Sequence, residues 1–274
     1  KPYPQDWTIY YAASRTEKLM FLRIIKDATD YLNIPWEYKG NGRPSAWIPE
    51  IIKSLCIKCY SRLSTWRIES ELKIAKQLGI VDFVYKKTSF SKYINDPRLT
   101  YWLERLYQEI AYSLALVEDY ILCDATGIAS GYGVKRWIEV REEPRLHTDY
   151  KKLHILTGAK TNAIFAAVVT IGTKHESPFL KVLLDKAYLG NATKFCADSG
   201  YLSRFNVDYV ASKGLIPFIM PKSNTRRLNR GSKGYWKCMI ELWEYHNDFF
   251  RLNYFHRENV EATISSLKRR FGFY

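Results

Sequence analysis

The sequence has 274 residues, and 47% of them are hydrophobic, which suits one large or two modest folded domains and excludes a disordered chain. Lys and Arg number 42 against 28 Asp and Glu, and the net charge of +14 predicts a polyanionic partner, with nucleic acid the first candidate and an anionic membrane surface the second. Neither a membrane-spanning apolar run nor a signal-peptide pattern is evident, so we expect a soluble, cytoplasmic protein.

Residues 1–118 are predicted to be all-helical. A capping box at Ser14 predicts the start of the first helix. Its apolar face is expected to comprise Leu19, Leu22, Ile25 and Leu32. A longer helix is predicted from about Pro97 to Glu118.

Between these helices, a helix starting near Pro49 is followed by a turn at Ser64 and a second helix from Trp66, which ends at Gly79. Basic residues lie along the pair, namely Arg62, Arg67, Lys73 and Lys76. This pattern is typical of a helix that contacts DNA, but helical pairs with basic surfaces also occur without that role, and both interpretations stay open.

Residues 119–274 are predicted to form a second domain, a mixed five-stranded sheet flanked by helices (α+β or α/β). The predicted strands are YILCDAT, LHILTGAK, AIFAAVVTIG, KFCADSGY and LIPFIM, beginning at 120, 153, 163, 194 and 215. Helices are predicted over 177–189 and 203–214, and a final helix follows.

The final helix carries four polar residues in one broad stripe. Tyr254, Arg257, Glu261 and Lys268 are spaced by 3, 4 and 7 residues, so one carboxylate is flanked by two cations and a phenol. The alternative is a solvated helix on which Arg257 and Glu261 form an ordinary i,i+4 ion pair.

Two further carboxylates are predicted at strand ends. Asp124 closes the first strand and Asp198 the fourth, so the two emerge at one edge if these strands are parallel neighbours. With Glu261 they would form three mutually repelling carboxylates, which two Mg²⁺ ions would neutralise. The alternatives are an N-cap role for Asp198 and a loop hydrogen bond for Asp124.

The segment from 209 to 240 has no acidic residue. Its seven cations are Lys213, Lys222, Arg226, Arg227, Arg230, Lys233 and Lys237. Contact with a phosphate backbone is favoured over a merely solvated loop, because the segment comes just before the Glu261 helix.

Three motifs resemble the DDE transposases of prokaryotic insertion sequences: CDATG around Asp124, ADSGY around Asp198, and Y-x2-R-x3-E-x6-K from Tyr254 to Lys268. The resemblance covers residues 120–274 and implies an RNase H-like catalytic domain. It further implies that Asp124, Asp198 and Glu261 are a catalytic triad that binds two Mg²⁺ ions, with Mn²⁺ as an alternative. The helical region before it looks like the DNA-binding amino-terminal domain of such enzymes.

By the same resemblance, Arg257 and Lys268 would contact DNA phosphates near the cut, and Tyr254 would help to place the terminal nucleotides. The 62 residues between Asp198 and Glu261 leave room for at most a small insertion, so a DNA hairpin intermediate stays open. Trp236 would then be either a stacking partner of a flipped base or a core residue.

The implied function is metal-dependent cleavage of double-stranded DNA at terminal inverted repeats, followed by strand transfer into target DNA. A homodimer on DNA and association with the nucleoid are further expectations. Three alternatives stay open: a decayed or domesticated copy that binds DNA without cutting it, an RNase H-fold nuclease or resolvase, and a catalytic domain truncated at its C-terminus.

Overall fold

The computed structural model describes residues 6–35, 47–129, 150–223, 225 and 233–272. The chain divides into two compact units, Lys1–Ile110 and Ala111–Tyr274. The assignment of separate functional domains on either side of residue 118 stays a prediction. Across the described ranges, no helix is both long enough and apolar enough to cross a membrane.

The described part of the first unit is helical, as predicted. Its helices are α1 (Trp7–Tyr31), α2 (Ile48–Ser61), α3 (Ile68–Gln77), α4 (Lys87–Tyr93) and α5 (Pro97–Ala115), the last of which continues into the second unit. Buried aliphatic side chains from α1, α2 and α3 form the core of this unit.

The predicted start of α1 at Ser14 is wrong. The helix begins at Trp7, where the Asp6 carboxylate accepts a hydrogen bond of 3.0 Å from the Ile9 amide and caps the first turn. The apolar pattern could not show this start, because residues 6–20 are exposed and pack on no core. Leu19, predicted to face the core, is likewise exposed, whereas Leu22 and Ile25 are buried.

Two helix boundaries also differ from the predictions. Trp66 precedes α3 and is 72% exposed, although Gly79, with φ +69°, follows the end of α3 as expected. Glu118 lies beyond the end of α5 and is fully buried, because its carboxylate accepts hydrogen bonds from the amides of Lys160 (2.9 Å) and Thr161 (2.7 Å).

The second unit contains the predicted mixed five-stranded sheet. Its strands are β1 (Tyr120–Ala129), β2 (Tyr150–Gly158), β3 (Ile164–Ile171), β4 (Lys194–Ala197) and β5 (Ile216–Ile219), in the order β3-β2-β1-β4-β5. The pairs β1–β2 and β2–β3 are antiparallel, whereas β1–β4 and β4–β5 are parallel. This topology confirms an RNase H-like α+β fold and the expected parallel contact between the first and fourth strands.

Helices flank the sheet and complete its core. They are α6 (Phe179–Lys186), α7 (Arg204–Ser212), α8 (Gly234–Tyr245), α9 (Asn247–Tyr254) and α10 (Glu258–Phe271). Fully buried side chains of β1, β4 and β5, such as Ile121, Phe195 and Phe218, pack with residues from these helices. The buried centre of the sheet therefore supports both β1 and β4, the strands that carry the predicted aspartates.

The stretch from Tyr254 to Lys268 was predicted as a single helix, and this is wrong in detail. α9 ends at Tyr254, a 3-10 turn covers Phe255–Arg257, and α10 begins at Glu258. The backbone stays right-handed through the junction, with φ and ψ of −56° and −29° at Arg257. Sequence spacing did not indicate the change, because α and 3-10 turns differ little in φ and ψ.

Candidate active site

Asp124 and Asp198 directly follow the paired ends of two parallel strands. The paired register of β1 and β4 ends at Cys123 and Ala197. Asp124 is the next residue of β1, and Asp198 is the first residue after the end of β4. The prediction that Asp124 is the last residue of its strand is wrong, because β1 continues to pair with β2 as far as Ala129. It lies at the point where the pairing of β1 with β4 ends, and its side chain is 12% exposed.

Each aspartate has one carboxylate oxygen engaged locally. The amide of Ala125 donates to Asp124 Oδ1 at 2.8 Å, and the amide of Gly200 donates to Asp198 Oδ1 at 2.8 Å. Asp198 is the N-cap of the 3-10 turn Ser199–Tyr201, so its predicted capping role is present. Such a cap leaves the second oxygen of Asp198 as an acceptor for other groups.

Helix α10 is fixed against the turn between β2 and β3. Asn259 Nδ2 donates to the carbonyl of Ala159 at 2.9 Å, and Thr263 Oγ1 donates to Asn162 Oδ1 at 3.1 Å. Val260 is fully buried on the same side. These contacts set the rotation of α10, and Glu261 is consequently held beside β1 with its side chain 58% exposed.

The Arg257 guanidinium lies between two of the three carboxylates. Its Nη2 is 3.3 Å from Asp124 Oδ2, and its Nη1 is 2.8 Å from Glu261 Oε1. The predicted i,i+4 pair therefore exists, and it extends to an aspartate 133 residues earlier in the chain. The cation offsets the repulsion between the two carboxylates.

The carboxyl group of Asp124 has a raised pKa. This pKa is raised to about 6, mainly by burial and to a lesser extent by the charges of Asp198 and Glu261. The Ala125 amide and the Arg257 guanidinium act in the opposite direction without cancelling the effect of burial. A cation that reaches Asp124 would favour its ionised form.

An open groove of about 420 Å³ joins Asp124, Glu261 and Lys268. Thr126 of β1 and Ser265 of α10 also line it. Arg269 lines the groove too, although the sequence analysis did not select it. Its position next to Lys268 is the signal that was available, because residues seven and eight positions after Glu261 fall on one helix face.

The remaining predicted contact residues are not among the lining residues of this groove. Tyr254 is half-buried against the core of the second unit, with its ring stacked on Phe250. Trp236 of α8 is also half-buried there, and the Arg204 guanidinium lies 5.8 Å from its ring centre. Lys233 is exposed, and Lys237 pairs with Glu241 at 3.6 Å.

Arg226, Arg227 and Arg230 fall outside the described residues. The prediction that they contact DNA stays a prediction, as does the prediction for Lys233, Lys237 and Trp236.

The donor chemistry here fits a hard divalent cation, since the groups are carboxylate oxygens and two of them directly follow the paired ends of β1 and β4. Within the described ranges, however, no three His, Cys, Asp or Glu side chains lie close enough together to hold one ion. Asp124 and Glu261 both line the groove and both pair with Arg257, whereas Asp198 is not among the residues that line it.

A family model described as the transposase DDE domain matches residues 121–273, more than half of the chain. The match covers β1 to β5 and α10, and so includes every residue of the candidate site. A search of curated proteins found no significant match.

Proposed function

Because the chain belongs to the transposase DDE-domain family, we propose that it is a DNA transposase that cuts DNA at the ends of a mobile element and joins them to target DNA. The observation that carries the proposal is that Asp124 and Asp198 directly follow the paired ends of two parallel strands, while Glu261 of α10 lines one groove with Asp124. A net charge of +14 supports a DNA substrate.

Asp124, Asp198 and Glu261 would hold divalent cations, Mg²⁺ or Mn²⁺. Glu261 joins the two aspartates when its carboxylate turns away from Arg257. Bound cations supply the charge that activates a water or a 3′-hydroxyl and stabilises the leaving oxygen. Side chains around the carboxylates would hold the scissile phosphate in the orientation that the reaction requires.

Arg257 and Lys268 are proposed to hold the DNA phosphates. Arg257 is 19% exposed and is paired with Asp124 and Glu261, both of which line the groove. Lys268 lines that groove two helical turns after Glu261, on the same face of α10. A planar guanidinium that leaves Glu261 can bind a phosphate through two parallel hydrogen bonds.

The test is cleavage of a labelled DNA end by Asp124→Ala, Asp198→Ala and Glu261→Ala variants in Mg²⁺. We expect each variant to lose strand cleavage, by at least 100-fold as an order-of-magnitude estimate for removal of a cation ligand, while retaining DNA binding in a gel-shift assay. A Glu261→Ala protein that cleaves at the wild-type rate would refute the assignment. An exposed carboxylate on the first turn of α9, Asp248, serves as the control, and its Ala variant is expected to cleave normally.

A further inference from the structure

An ion pair between Lys152 and Glu176 lies near the turn that follows Asp198. Lys152 of β2 and Glu176, in the segment between β3 and α6, approach to 3.1 Å between Nζ and Oε1. Their side chains are 18% and 22% exposed. Lys152 Nζ also donates to the carbonyl of Lys174 at 3.2 Å, so the lysine has two acceptors on the same segment. Ordinary surface pairs lack this second contact and this burial.

The second carboxylate oxygen of Glu176, Oε2, lies next to Gly200 in the 3-10 turn that Asp198 caps. A Cβ atom added to Gly200 would lie 2.3 Å from Glu176 Oε2 and 3.0 Å from Asp198 Oδ1. The two carboxylates therefore flank the same point beside Gly200. Glycine permits this approach, because any side chain at position 200 would displace one of the two carboxylates.

The segment of Glu176 is also fixed to the Asp198 turn through a buried amide. Asn206, 2% exposed, donates from Nδ2 to the carbonyls of Ser177 at 2.9 Å and Tyr201 at 2.7 Å. Its anchor at Ser177 follows Glu176 directly, and its anchor at Tyr201 ends the 3-10 turn that Asp198 caps. The distance between the charges of Glu176 and Asp198 is thus set by the fold.

We propose that Glu176 and Lys152 are a positioning pair that sets the electrostatic potential at Asp198. Glu176 strengthens and Lys152 weakens the binding of a divalent cation by Asp198. The inference rests on the proposed function. A fixed negative charge beside a carboxylate makes the local potential more attractive to a cation, and the lysine cancels part of that charge. Glu176 acts through Asp198 and the field around it.

The two members of the pair have opposite expected effects. Glu176→Gln keeps the shape of the side chain and removes the negative charge, so the dissociation constant for Mn²⁺ should rise about fivefold. Lys152→Met removes the opposing charge, so the same constant should fall about fivefold. The double variant restores the net charge of the wild-type pair and should return close to the wild-type value.

The experiment is a titration of the full chain with Mn²⁺ in the absence of DNA, followed by electron paramagnetic resonance. The unfolding midpoint of each variant is measured in parallel. Lys181→Met serves as the control, since Lys181 and Asp185 form an exposed i,i+4 pair on α6. This control should leave Mn²⁺ binding unchanged.

The outcomes separate this inference from the proposed function. If Glu176→Gln and Lys152→Met shift Mn²⁺ affinity in the same direction, or not at all, while Asp198→Asn abolishes binding, the pair has no electrostatic role and the inference is overturned. If the wild type binds no Mn²⁺, or Asp198→Asn binds it as tightly as the wild type, the proposed metal site fails and the inference fails with it.

Discussion

Replacing Asp124 with Asn should stabilise the protein at alkaline pH. In the folded protein, burial raises the pKa of Asp124 from 3.8 to about 6. A raised carboxyl pKa means that the folded state favours the protonated carboxyl. Ionisation of Asp124 therefore does not lower the free energy of unfolding below pH 3.8, and lowers it by the full amount above pH 6. Stability should therefore fall as the pH rises between these two values, and an Asn at position 124 should remove that fall.

The size of the effect follows from the pKa change. Each tenfold change in a protonation equilibrium is worth about 1.4 kcal/mol, so ionising Asp124 in the folded state costs up to about 3 kcal/mol. Its side chain is 12% exposed, and solvent reduces the cost to about 2 kcal/mol. An Asn side chain retains an oxygen that accepts the hydrogen bond from the Ala125 amide.

The assay is urea denaturation without divalent cations at pH 8 and at pH 4. Asp124→Asn should be more stable than the wild type by about 2 kcal/mol at pH 8 and nearly equal to it at pH 4. Asp119→Asn, at an exposed carboxylate paired with Lys160, should change stability by less than about 0.5 kcal/mol. If Asp124→Asn were less stable than the wild type at pH 8, the contact with Arg257 would outweigh burial, and this reasoning would be wrong.

Two other substitutions test separate parts of the molecule. In the first unit, Lys53→Met would leave the fully buried Glu50 carboxylate without its cation and should cost about 3 to 5 kcal/mol in urea denaturation. Lys73→Met, at an exposed pair with Glu69, is the control, and an equal loss in both variants would contradict the argument. In the groove, Lys268→Ala should make the plot of log affinity for duplex DNA against log salt concentration less steep, by about 0.9 in the magnitude of its slope. An unchanged slope would show that Lys268 contacts no phosphate.

The sheet was predictable from sequence because its strands are short apolar runs bounded by turn residues. The central strands β1 and β4 are buried, and both aspartates follow such runs. The spacing of apolar residues could not show that β1 extends beyond Cys123, where its pairing with β4 ends, because residues 124–129 pair only with β2 on the other side. Asp124 thus lies inside β1, directly after the last residue of β1 that pairs with β4.

The contacts of the site were less accessible to sequence analysis. Helical spacing gave the Arg257 and Glu261 pair, but the approach of Arg257 to Asp124 depends on how α10 packs on the turn between β2 and β3. Glu176 has no periodic or motif signal, and its relation to Asp198 arises from packing against Gly200. Such contacts depend on tertiary packing, which local propensity and spacing do not encode.

The groove of the RNase H-like domain lies between β1 and α10 and is lined by Asp124 and Glu261, and we propose that this site both cuts and joins DNA. The most direct measurement uses a labelled inverted-repeat end, unlabelled target DNA and Mg²⁺, with products separated by size. The account predicts a joined product from the wild type and none from Glu261→Gln. Nicked DNA without joining would indicate a nuclease, and a shifted band without either product would indicate a DNA-binding protein; each result would contradict the claim.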